Sequence, residues 1–144
     1  TIHDASILFE FVNEVESLKW KIRTTHPIKW HEHQKWLGSR LKNKNCFIWI
    51  IVCDGLDAGQ VRLEKSSHSV EVDIYVSPNF RRKNIANHAL NHAIKHSKSE
   101  WVRMPLTAKV KSHNHASVKL FLGAGFVQKC KVADILSFEL PIDN

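Results

Sequence analysis

The chain of 144 residues, with 43% hydrophobic and 24% charged residues and only 5 Gly and 4 Pro, is neither a disordered nor a collagen-like polymer and has room for one hydrophobic core rather than two. Its longest apolar run, Cys46 to Cys53, is far shorter than the roughly 20 residues a membrane-spanning helix needs. The excess of 21 Lys and Arg over 14 Asp and Glu, a net charge of +7, favours an anionic ligand, either nucleic acid or a phosphorylated small molecule, and local clusters must decide between them.

Asp4 can cap a helix from Ala5 to about Val12, and a second helical stretch covers Glu14 to Arg23. Pro27 resets the chain. Trp30 to Leu41 then reads as a helix whose apolar stripe is Trp30, Leu37 and Leu41, with Trp36 beside it. Cys46 to Cys53 is a buried strand, Asp54-Gly55 a hairpin turn, Ala58 to Glu64 its antiparallel partner, and Val70 to Val76 a third strand of the meander. Ser77-Pro78 ends that strand. Ile85, Ala86, Ala89, Leu90, Ala93 and Ile94 follow the helical period and predict a helix of about 13 residues lying on the sheet. Leu106 to Val110 reads as a strand, Ala116 to Leu122 as a short helix, and Phe126 to Val132 with Ile135 to Leu140 as a closing pair. Strands and helices alternate only in the second half, so the expected fold is one α/β domain over residues 1–144, with a mixed, largely antiparallel sheet and helices on both faces. The cysteines Cys46, Cys53 and Cys130 lack C-x-x-C spacing and are expected as buried free thiols in a reducing cytoplasm.

The most informative stretch runs from Ile74 to Ala86. A strand feeds a basic loop that opens directly into an amphipathic helix, so free backbone N–H groups and the positive helix end face outward together, a geometry that binds phosphate. Arg81, Arg82 and Lys83 add charge there, Ile85 begins the helix, and Ala86 keeps its first turn small. The loop resembles the coenzyme A motif of the GNAT superfamily of N-acyltransferases: Arg or Gln, two residues, Gly, one residue, then Gly or Ala. Arg81, Asn84 and Ala86 stand at those positions. Asn84 replaces the first glycine, and asparagine is the non-glycine residue most tolerant of left-handed backbone. The resemblance implies that this loop wraps the pyrophosphate of acetyl-coenzyme A and that the backbone of Ile74, Tyr75 and Val76 pairs with the pantetheine arm as an added strand does.

Downstream, Asn114 to Phe126 is similar to the second coenzyme segment of that superfamily. Asn114 and Ser117 fall at coenzyme-contacting positions, and Gly125-Phe126 is the turn into the next strand. Phe121 takes the place of a tyrosine that many members use to protonate the leaving thiolate, and a phenyl ring donates no proton. The stretch from His26 to Leu37 resembles a subgroup with a Glu-His-x-x-Trp/Phe helix. That subgroup includes N-acetyltransferases of nucleotide-linked amino sugars, such as those of the pseudaminic acid pathway, and relatives that acetylate protein N-termini. His33 and Trp36 share a helix face and are the expected acceptor contacts.

For the proton acceptor the strand offers Glu71 and Asp73 on its more polar face, with His113 and His115 as secondary candidates. Neither a metal site nor an acyl-enzyme cysteine is expected. The resemblance implies direct attack of a small-molecule amine, a nucleotide-linked amino sugar in preference to a protein N-terminus, on bound acetyl-coenzyme A, with nucleic acid and membrane excluded as partners. A coenzyme-binding regulatory domain without turnover is the non-enzymatic alternative. A first strand is expected before Asp4, where only Thr1 to His3 are available, so the chain is expected to be a domain of a longer protein, with a fused or associated enzyme of the same pathway.

Overall fold

A computed structural model gives the fold and describes residues 1–23 and 26–142. Three short helices lead: α1 (Ala5–Asn13), α2 (Val15–Trp20) and α3 (Trp30–Leu41). Glu14 starts α2 by accepting hydrogen bonds from the backbone N–H groups of Glu16 and Ser17, which satisfies two of the orphan donors of a helix start. The expected continuation of α2 to Arg23 fails, because Lys21 turns to extended backbone with ψ of 143°.

A meander of β1 (Cys46–Cys53), β2 (Leu56–Lys65) and β3 (Val70–Val76) follows. Asp54 and Gly55 have φ of 52° and 77°, the paired left-handed conformations of a two-residue hairpin turn. Then come α4 (Ile85–Glu100), β4 (Leu106–Lys111), α5 (His115–Gly123), β5 (Val127–Val132) and β6 (Ile135–Leu140). The six strands form one sheet in the order β1-β2-β3-β4-β6-β5, antiparallel throughout except between β3 and β4. The mixed, largely antiparallel sheet expected from the sequence is thus the observed one.

Alternation along the strands divides the core in two. Phe47, Trp49, Val70 and Val72 pack on one face with Leu90 and Ala93 of α4 and Phe121 of α5. Ile48, Ile50 and Tyr75 pack on the other with Ala5, Leu8 and Phe11 of α1 and Leu37 of α3. The buried line of α3 is His33 and Leu37; Trp30 and Leu41 of the expected stripe are 42% and 46% exposed. All three thiols are free, but Cys130 is exposed and the other two only half-buried, which corrects the expectation of burial. Among the described residues no helix is long and apolar enough to cross a membrane.

Candidate active site

β3 and β4 pair only at Val70 with Leu106 and at Glu71 with Thr107. Beyond those rungs the strands part, although β3 continues to Val76 and β4 to Lys111. Inside the sheet this leaves an edge of backbone N–H and C=O groups along Val72 to Val76 that a ligand can pair with. The notch opens into a cavity of about 1100 Å³ walled from both faces of the sheet, by Ala86 and Ser117 on one and by Phe11 and Trp36 on the other.

At the upper end of the notch the loop reaches α4 through two left-handed residues, Arg82 with φ of 62° and Asn84 with φ of 60°. Asn84 is the N-cap of α4, yet its side chain bonds no helix N–H; its Oδ1 accepts instead from Asn87 Nδ2. The first-turn N–H groups are therefore left for a ligand, and Asn84, Ile85, Ala86 and Asn87 line the cavity. Such a helix end binds phosphate oxygens. Arg82 lines the cavity as well. Lys83 is not among its lining residues, and its ammonium lies 5.6 Å from the centre of the Phe80 ring. Arg81 is already engaged. Its Nε donates to Val76 O at 2.9 Å and its Nη1 to Glu16 at 2.5 Å, with Glu14 3.7 Å from Nη2. Its guanidinium joins α2 to the end of β3, which leaves the backbone N–H groups and Arg82 as the loop's donors toward the cavity.

Across the cavity Asn114 caps α5, its Oδ1 accepting from Ser117 N–H at 3.2 Å. Asn114, His115 and Ser117 line the cavity and His113 does not. Phe121 reaches the wall but is 3% exposed, its ring packed 5.1 Å from Phe126 and 6.2 Å from Phe138. It is a core residue first.

Ile74, Tyr75, Val76, Glu71 and Asp73 all line the cavity, Tyr75 with the α1–α3 core and Ile74, alternating to the other face, with the α4 core. Glu71 pairs with Arg23 at 3.5 Å. Asp73 accepts from Gln60 Nε2 at 3.1 Å and lies 3.9 Å from Arg62. Tyr75 Oη is 3.5 Å from Glu14, and burial, reinforced by the Glu14 charge, pushes the phenol up to about 12. His33 lines the cavity but is 2% exposed, and its Nε2 bonds the Ala5 carbonyl at 2.8 Å. Burial holds its pKa below the usual histidine value, the Ala5 bond opposing and the Lys21 charge adding to the fall. The imidazole therefore ties α3 to α1. Trp36 is half-buried, with the Arg62 guanidinium 5.6 Å from its ring centre and the His33 ring 5.8 Å away.

The sequence reading passed over Lys21, which lies in irregular chain beyond α2 with no local pattern to mark it. Its Nζ donates to Val12 O at 2.8 Å and it lines the cavity. Burial pushes its pKa down to about 8, with Asp73 opposing and Arg62 contributing. Among the described residues no group of three His, Cys, Asp or Glu side chains is placed to hold a metal ion.

A family profile described as an acetyltransferase (GNAT) domain matches residues 1–127. No curated protein matches the chain in sequence. Among solved structures, spermidine N-acetyltransferase from Vibrio cholerae, in complex with CoA and spermine, superposes with a TM-score of 0.84 at 15% identity, over 96% of this chain and 89% of that one. Ribosomal-protein-alanine N-acetyltransferase from Brucella melitensis gives 0.83 at 19%, over 99% and 96%. The Campylobacter jejuni N-acetyltransferase PseH, in complex with acetyl coenzyme A, gives 0.72 at 20%, over 96% and 90%. At these identities the likeness is one of fold.

Proposed function

The chain belongs to the GNAT acetyltransferases, and on that footing we propose that it moves the acetyl group of acetyl-coenzyme A to the primary amine of a nucleotide-linked amino sugar. The observation that carries the reading is the single cavity in which an uncapped helix start, an unpaired strand edge and a charged far wall meet. The α4 N-terminus suits the pyrophosphate, and the free edge along Val72 to Val76 suits the pantetheine amides. A backbone N–H on that edge polarises the thioester carbonyl. The neutral amine attacks it, a tetrahedral centre forms and collapses, and the thiolate leaves. Phe121 gives that thiolate no proton, so water serves.

The far wall favours an acceptor that carries negative charge. Lys21, Arg23, Arg40 and Arg62 line it against Glu64, Glu71 and Asp73. Each of these acids already has an arginine within 4.0 Å: Arg40 for Glu64, Arg23 for Glu71 and Arg62 for Asp73. A polycation would find its carboxylates occupied, whereas a diphosphate meets a cavity whose lining also holds Arg82, Lys109 and Lys119 and stays net positive with Lys21 neutral. The test is thiol release with acetyl-coenzyme A and three acceptors: a uridine diphosphate-linked amino sugar, spermidine, and a peptide with a free N-terminus. The sugar nucleotide is expected to have a kcat/KM at least tenfold above the others, falling as salt rises. Preference for spermidine or the peptide overturns the acceptor assignment, and no thiol release with any amine overturns the transferase reading.

A further inference from the structure

The acceptor amine reaches the enzyme as an ammonium ion and must lose a proton before it attacks. Both carboxylates of β3 that face the cavity are already held, Glu71 by Arg23 and Asp73 by Gln60 and Arg62. One basic nitrogen on the same wall is differently placed. Lys21 Nζ is anchored by a single backbone acceptor, Val12 O at 2.8 Å, and no carboxylate lies within ion-pair distance of it among the described residues. Its charge is felt by groups on three further elements: His33 of α3, Arg62 of β2 and Asp73 of β3. Asp73 stands two positions beyond the last rung of the β3–β4 ladder at Glu71, so this cluster lies on the cavity wall where the notch begins to open.

We propose that Lys21 is the base that takes the proton from the acceptor ammonium. The proton passes from the substrate nitrogen to the lone pair of Nζ, and the freed amine forms the new C–N bond, the C–S bond breaking when the tetrahedral centre collapses. The nitrogen, cationic once it has attacked, loses its second proton through water to the departing thiolate, and the Lys21 ammonium returns its own to solvent at the cavity mouth. An ammonium that burial and Arg62 disfavour is poised for this, since a base works best when its pKa lies near the working pH, and here it lies at about 8. Being neutral above that value, Lys21 is competent at higher pH and silenced as pH falls.

This role rests on the N-acetyltransferase reading, and two measurements keep the two apart. With whichever amine turns over, kcat of the wild type is expected to fall as pH drops through about 8. Lys21→Met and Lys21→Arg are both expected to lose about a hundredfold in kcat and that inflection, with coenzyme affinity unchanged, because guanidinium keeps the charge but accepts no proton. Folding is not the obstacle. The buried ammonium destabilises the native state in full below pH 8, relieved only as pH rises toward 10.5, so Lys21→Met should hold or raise Tm. A Lys21→Arg enzyme with wild-type kcat and pH profile overturns the proposal, as does loss of rate only in the double variant Glu71→Gln with Asp73→Asn. Independently of turnover, trace labelling with acetic anhydride across pH, read by mass spectrometry, should show Lys21 titrating near 8. A Lys21 that labels like the surface lysines overturns the proposal even if no acceptor is found.

Discussion

Asn84 holds φ at 60° where α4 begins, a conformation that costs an ordinary L-residue about 1–2 kcal/mol and that asparagine tolerates better than most. Asn84→Gly should keep or tighten binding of acetyl-coenzyme A, whereas Asn84→Val, β-branched and resistant to this backbone, should weaken it about tenfold and lower Tm. Titration calorimetry on the two variants decides, and equal affinities would show that the loop does not depend on that conformation. That Asn84, Ala86, Asn114 and Ser117 line one cavity was legible in the sequence, because each is placed by backbone close by. Arg81, His33 and Phe121 line it too, but what their side chains hold was not legible. Their side chains are taken up by distant partners, Arg81 by Glu16 across 65 positions and His33 by Ala5 across 28, and a motif records spacing without recording what else is within reach.

Among the elements, α2 is the most dependent on its neighbours. At six residues it is too short to persist alone, and it is fastened by Arg81 to Glu14 and Glu16 and by Tyr75 to Glu14. Arg81→Ala should speed amide exchange across Val15–Trp20 and raise the acceptor KM, with a smaller change in coenzyme affinity. Unchanged exchange in α2, followed by mass spectrometry, would mean that capping by Glu14 suffices without the arginine. Most elements were visible in the pattern of apolar residues. α4 outran its expected 13 residues by reaching Glu100, because its buried line of Leu90, Ala93 and Ser97 ends in a small polar residue that a hydropathy pattern leaves out. The place of β4 between β3 and β6 was beyond any local pattern, since it depends on where α4 returns the chain.

At the scale of the molecule, two cores lie back to back across one sheet, and the cavity joins the space between them. A ligand that binds only this arrangement stabilises it by mass action, about 2.7 kcal/mol at a hundred times Kd. Acetyl-coenzyme A should therefore raise Tm by about 9 °C for a chain of this length in a thermal melt. No shift at millimolar coenzyme would remove the basis for the loop and notch assignments together. The sheet's halves, β1–β3 and β4-β6-β5, share the rungs at Val70 and Glu71 alone, so a coenzyme arm lying in the gap supplies rungs the protein itself lacks. Product release then resembles opening a zipper along the middle of the sheet more than detachment from a surface. On the proposed binding mode, the hydrogen bonds that hold the thioester in line for attack must be undone before the next turnover, which makes departure of the spent coenzyme a natural limit on speed.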